Sequence, residues 1–212
     1  DSGVLVVSPG GLGQKLGRLD IEYDRALGRV TSISNSLLTT EEAAAFPSDR
    51  KVKAALTALD KRTDAELSVK VGETVHDLDG SRSAVRTRET NLGNLCADAL
   101  RTAHGTDFAL INAGSIRDSV KKGPVTGRDI LAVFPYTSNV VSYKVTGAEV
   151  KAMLEHGLGF LPGEDGGFPQ VSGLTATIKA DAPKGKRVKK IVTADGRALD
   201  MKKVYTIAVN TF

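Results

Sequence analysis

The sequence predicts an α/β fold, a mixed sheet flanked by helices and preceded by a small antiparallel strand group. Three observations predict it. Two early segments, Arg18–Asp24 (RLDIEYD) and Arg29–Leu38 (RVTSISNSLL), show strand character, the first alternating strictly as a half-exposed strand does. From Glu66 onward the pattern settles into strand, loop, helix, strand. Late in the chain, several strand-like segments follow one another without intervening helices, which favours a mixed sheet over an all-parallel one.

Taken in order, GVLVVSP (Gly3 to Pro9) reads as a buried strand and GGLGQKLG as a glycine-rich turn. With the two alternating segments this makes a group too short to be a domain, assigned to residues 1–39. Thr40 with Glu41 and Glu42 marks a helix start, Pro47 interrupts, and Asp49 to Thr63 is rich in helix formers with Val52, Ala55, Leu56 and Leu59 as its apolar positions. Residues 40–64 thus read as a helical interdomain linker, with a boundary near Asp64. The remainder, residues 65–212, carries LSVKVGETV as a strand, a helix over Asn91 to Gly105 and a strand over Asp107 to Asn112. A short helix over Gly127 to Phe134, a strand at SNVVSYKVT and a helix over Gly147 to Gly159 come next. The strands LTATIKA, RVKKIVTA and KVYTIAVN close the series.

A chain of 212 residues with 41% hydrophobic and 25% charged content has enough apolar material for a buried core, which argues against disorder. Its net charge of +4 comes from 29 basic against 25 acidic residues, a mixed surface that suits an anionic ligand without a long basic run. The densest patch, Lys184 to Lys190, sits beside Pro183 and includes Gly185, and reads as a solvated hairpin turn, so no nucleic-acid partner is expected. No segment approaches the roughly 18 apolar residues that span a bilayer. The single cysteine, Cys96, falls in the apolar register of NLCADAL and reads as a buried, inert thiol; it says nothing for or against an oxidising compartment. A start without methionine and an end on a strand suggest an excerpt of a longer chain, and the sequence leaves room for a signal peptide removed upstream.

Three loops carry polar groups where a rigid scaffold displays binding residues. The first, GSRSAVRTRETNLGN, places Arg82, Arg86 and Arg88 just before a helix whose cap candidates are Thr90 and Asn91. Guanidinium forks near exposed helix amides suit phosphate or carboxylate. A solvated basic loop is the other reading, and spacing alone leaves both open. In the second, INAGSIRDS, a strand ends in Asn112, small residues follow, then Arg117. In α/β sheets ligands sit beyond strand ends; alternatively Arg117 pairs with Asp118 or Asp129 at a turn. The third, VFPYTSN, presents Tyr136, and GGFPQ and the terminal Phe212 lie further on. Aromatic rings at element ends can clamp a nucleobase, although core packing is the default for any one of them.

The three histidines, His76, His104 and His156, are isolated, and no HxH, HExxH or DxH pattern supplies metal ligands. His104 and His156 read as helix-end residues. No P-loop or nucleophile elbow is present either. No catalytic residue, metal or cofactor is therefore assigned to this chain.

RETNLGNLCADALR, DFALINAGSIRDSV, GPVTGRDILAVFPYTSNVVSYKVTGAEVKAMLE, GGFPQVSGL and YTIAVNTF, in that order, closely resemble the C-terminal domain of the 5'-nucleotidase family. That family includes bacterial UDP-sugar hydrolases, 2',3'-cyclic nucleotide phosphodiesterases and animal ecto-5'-nucleotidases. The resemblance implies a nucleotide or nucleotide-sugar ligand and a metal-dependent hydrolase as parent. Residues 1–39 look like the last strands of a preceding metallophosphatase domain, which would be this domain's partner and carry a divalent metal pair such as zinc or manganese. By position, Arg82, Arg86 and Arg117 resemble arginines that hold phosphate and ribose, and Asn112 a ligand-contacting asparagine. Tyr136 and Phe212 take the places of two stacking phenylalanines, and Gly166 that of a glycine lying against the ligand. The helix from Asp49 to Thr63 resembles the linker about which the family's domains move. Two departures stand out: the family's PFGN is PYTSN here, and the chain stops before an expected GGDG. On this reading the chain alone is inactive, and its setting is periplasmic, cell-surface or secreted. A thiosulfohydrolase-like relative, or a binding module that keeps the fold without catalysis, are the alternatives.

Overall fold

The computed structural model describes residues 5–11 and 13–211, so Phe212 lies outside the described residues. The chain divides into two compact units, Asp1–Arg62 and Thr63–Phe212, with the division inside a helix.

In the first unit, β1 (Lys15–Asp24) and β2 (Arg29–Thr39) form an antiparallel hairpin with an irregularity between Glu22 and Tyr23. Leu16, Ile21, Ile33 and Leu37 remain exposed on it. The strand expected at residues 3–9 does not form over its described part, residues 5–9. Apolar character alone cannot make a strand without a partner to take up its backbone groups. A capping box between Thr39 and Glu42 starts the short α1 (Thr40–Ala43), and α2 (Arg50–Leu67) follows and crosses into the second unit.

The second unit opens with β3 (Lys70–Thr74), which pairs with β5 (Gly123–Thr126), and with the single turn α3 (Arg82–Val85). Its centre is a four-stranded sheet in the order β6, β10, β4, β7, with β4 at Phe108–Asn112, β6 at Val140–Thr146, β7 at Pro169–Ser172 and β10 at Val204–Asn210. β10 runs parallel to β4, and β6 and β7 run antiparallel to their neighbours, so the sheet is mixed as expected. β8 (Leu174–Ile178) and β9 (Val188–Thr193) form a separate hairpin.

Helices cover both faces. Side chains alternate along a strand, and in β7 Gln170 meets Gly93 of α4 (Asn91–His104) while the neighbouring Pro169 meets Gly157 of α6 (Gly147–Leu158). The two helices therefore lie on opposite faces. α4 starts where Thr90 Oγ1 accepts from the Gly93 amide at 3.0 Å and stops at Gly105, whose φ of 60° is left-handed. Capping boxes at Thr126 with Asp129 and at Thr146 with Glu149 start α5 (Gly127–Val133) and α6. His104 and His156 fall in last helical turns, as read from sequence.

Two elements were not legible as strands. β5 is four residues long, and β7 begins on the proline of GGFPQ. Proline usually marks a break, but it is tolerated as the first residue of a strand, where its missing N–H costs no ladder bond.

The core runs through Val85, Leu92, Phe108, Ile111, Val150, Leu154 and Ile207. Cys96 belongs to it, and burial pushes its thiol up to about 12. Because only the thiolate reacts, Cys96 at pH 8 should react with a thiol-specific disulfide reagent at least about tenfold slower in the folded protein than in urea. Equal rates in both states would contradict its burial.

Candidate functional site

Strand direction gathers the site. β4 and β10 are parallel and end at the same edge of the sheet, and their antiparallel neighbours β6 and β7 begin there. Residues 112–117, 135–139, 163–168 and 210–211 therefore converge at one edge. Gln170, close to the start of β7, reaches the amide of Thr90 at the head of α4, which brings the arginine loop to the same edge.

Arg86 is the most enclosed of the three arginines, at 9% exposure. Its Nη1 donates to the Glu164 carbonyl at 3.5 Å. Burial holds this guanidinium below its ordinary value, the positive charges of Arg82 and Arg117 add to the depression, and Asp165 and Glu164 oppose it. Arg82 and Arg117 thus both lie within electrostatic reach of Arg86. Arg82 is exposed and faces the Glu164 carboxylate, with Nε at 3.6 Å. Arg88 instead turns to Asp79, 3.6 Å away.

Arg117 is also exposed, and its Cζ stands 5.3 Å from the centroid of the Tyr136 ring. That is cation–π range. Asp129, the alternative partner considered for Arg117, has its carboxylate on the Thr126 hydroxyl and amide, which hold it below the usual carboxylate range. Tyr136 is 68% exposed, so it is not a core residue and one face can meet a planar ligand.

Asn112 is placed at the centre but is already engaged. Its Nδ2 donates to Gly166 O at 3.4 Å, and its Oδ1 accepts from Ser115 Oγ at 2.6 Å and from Asn210 Nδ2 at 2.9 Å. One Nδ2 hydrogen is left for a further acceptor. Gly166 O also accepts from the Gly114 amide at 2.8 Å. A Cβ on Gly166 would lie 3.2 Å from Gly114 Cα, and one on Gly114 3.2 Å from Gly166 Cα, so two backbones touch where only glycine fits comfortably.

Thr211 bonds to Asn139 through its amide at 2.7 Å and through its hydroxyl. This ties the Tyr136 loop to the neighbour of Phe212. The position of Phe212 itself lies outside the described residues.

Sequence reasoning missed Glu164, Asp165, Ser115 and Asn210. Each is polar beside a glycine-rich or strand-end segment already singled out, and only the pairing of β4 with β7 and β10 shows that these segments meet. Among the described residues, no three His, Cys, Asp or Glu side chains come together as a metal would require.

The family model described as 5'-nucleotidase, C-terminal domain, matches residues 70–212. The trifunctional nucleotide phosphoesterase protein YfkN of Bacillus subtilis is 34% identical over 209 residues, 94% of this chain and 14% of that protein. Protein UshA of Escherichia coli is 27% identical over the whole chain, which spans 40% of it. The crystal structure of a 5'-nucleotidase precursor from Thermus thermophilus superposes with a TM-score of 0.75 at 35% identity, over 93% of this chain and 40% of that one. A sulfate thiohydrolase, SoxB, shares the fold at a TM-score of 0.65 and 22% identity, covering 93% of this chain and 37% of that one. The chain thus spans well under half the length of each of these relatives.

Proposed function

The chain belongs to the 5'-nucleotidase family through its C-terminal domain, and from that premise we propose that it is the nucleotide-holding part of a larger hydrolase. The placement of Arg82 and Arg117 within electrostatic reach of the buried Arg86 at the sheet edge carries this reading. The two exposed guanidiniums add to the cost of the buried Arg86 charge, and an anion relieves that cost. Tyr136 offers the flat face that a base needs. Asn112 has a donor left for a sugar or base oxygen.

The ligand is a nucleotide or nucleotide-sugar. In the parent protein, phosphoester or pyrophosphate hydrolysis falls to an upstream metallophosphatase domain with a divalent metal pair such as zinc or manganese. This domain binds and orients the nucleoside. Its residues supply charge neutralisation and stacking rather than a nucleophile, so the chain by itself binds and does not hydrolyse. The exposed apolar residues of the β1–β2 hairpin are what the last strands of such a domain would turn toward its interior. A periplasmic, cell-surface or secreted setting accords with this family.

Calorimetry with AMP, UMP and UDP-glucose tests the reading. We expect binding to at least one of them, and Arg117→Ala to weaken it roughly tenfold through loss of one charge-assisted contact. Arg117 is exposed, so this variant should fold as the wild type does. Absence of binding to all three ligands would sink the proposal.

A further inference from the structure

Gln170 is polar, sits on β7, and is only 1% exposed. A buried amide must find partners for two donors and an acceptor. All of them lie on the arginine loop. Its Nε2 donates to Val85 O at 2.9 Å and to Arg88 O at 2.7 Å, and its Oε1 accepts from the Thr90 amide at 3.2 Å. Val85 and Arg88 bracket Arg86 in sequence, and Thr90 caps α4.

The loop's own backbone bonds are short-range. Val85 N donates to Ser81 O, and the amides of Thr87 and Arg88 both donate to Ala84 O. These bonds shape the loop without fixing it to the sheet. Beside the burial of Val85 in the core and the Gly80 amide donating to Ser119 Oγ at 2.9 Å, Gln170 is what bonds the loop to β7. Four residues before it, Gly166 O holds Asn112 and Gly114, and Glu164 faces Arg82 and Arg86. One short segment therefore registers the arginine loop against the Asn112 loop.

We infer that Gln170 is a positioning residue, whose amide holds Arg86 in register with Gly166 and Asn112 and thereby sets the affinity of the site. This rests on the nucleotide reading for its ligand, but its structural part does not. Other residue types cannot replace it. Glutamate would turn a carboxylate oxygen toward two carbonyl oxygens, methionine would strand those carbonyls and the Thr90 amide, and asparagine is a methylene too short to reach them. Gly93 leaves the room: a Cβ there would lie 2.2 Å from Gln170 Oε1.

The experiment uses the full chain as wild type, Gln170→Met and Gln170→Glu. Two quantities are read: amide hydrogen-exchange protection resolved by residue, and AMP affinity by calorimetry, both at pH 7.5 and pH 5.5. In both variants at pH 7.5 we expect Thr90 protection to fall at least about tenfold and AMP to bind roughly tenfold more weakly, with the β4 and β10 amides unchanged. At pH 5.5 the introduced carboxyl, whose burial between carbonyl oxygens favours its neutral form, regains one donor, so Gln170→Glu recovers part of both losses. Gln170→Met does not recover. Wild type at both pH values controls for titration of the nucleotide phosphate. Should Gln170→Met fail to fold, Gln170→Glu across the two pH values carries the comparison alone.

Unchanged Thr90 protection overturns the inference, and so does a uniform loss of protection across the whole domain, which would mark Gln170 as a core residue only. Weakened binding with Thr90 still protected also overturns it. If wild type binds none of AMP, UMP and UDP-glucose, the nucleotide reading falls, while Thr90 protection still decides whether Gln170 holds the loop.

Discussion

Arg86→Met is expected to weaken AMP binding roughly 10- to 150-fold, the factor that corresponds to losing about 1.5–3 kcal/mol for hydrogen bonds made by a charged group. The thermal midpoint of the free protein should hold or rise. Both outcomes follow from one environment. Arg86 is buried at 9% exposure within reach of two other positive charges, with one long hydrogen bond to the Glu164 carbonyl. In the free protein its charge is a cost set against partial compensation from Asp165 and Glu164, and removing such a charge is often neutral or stabilising. In the complex it meets the ligand. Calorimetry and a thermal scan on the same samples separate the two effects, and retention of wild-type affinity would remove Arg86 from the site.

Gly93→Ala should cost about 2–4 kcal/mol of stability, from overpacking together with displacement of the Gln170 amide from its partners. The added Cβ would come 2.2 Å from Gln170 Oε1 and 2.5 Å from Cδ, inside any tolerable contact. The side chain would have to withdraw and leave two carbonyls and one amide without their partner. Urea denaturation measures the loss. Combining Gly93→Ala with Gln170→Ala should cost less than the sum of the two single changes, because the first clash vanishes when the second side chain is gone. Strict additivity would show that the two residues do not press on each other.

The fold class was legible because it depends on periodicity and capping, which are local. Thr90, Thr126 and Thr146 sit where a helix start needs a side-chain acceptor, and Gly105 sits where α4 must stop in a left-handed turn. The candidate residues Arg82, Arg86, Asn112, Arg117, Tyr136 and Gly166 were legible as positions at or near element ends, although Arg82 opens α3 and Asn112 closes β4. Their neighbours were not. Nothing in the string EDGGFPQ says that Glu164 faces Arg82 or that Gln170 holds Val85, because those contacts join positions far apart in the chain through β7. The proline that opens β7 hid the strand that makes them. Asn112 shows the reverse case: its place was legible, but its engagement with Ser115 and Asn210 depends on the pairing of β10 with β4.

The parallel pairing of β10 with β4 also sets a timetable. Ile207 lies opposite Phe108 in the middle of the sheet, so an inner strand is synthesised well after both of its sheet neighbours, β4 and β6. Until it leaves the ribosome, β4 lacks one neighbour, β6 lacks its partner, and Asn112 lacks Asn210. Contacts of such long sequence separation form late and slowly. The nascent chain therefore carries its arginine loop well before β10 joins the binding edge, which leaves the apolar sides of β4 and β6 to be shielded in the interval.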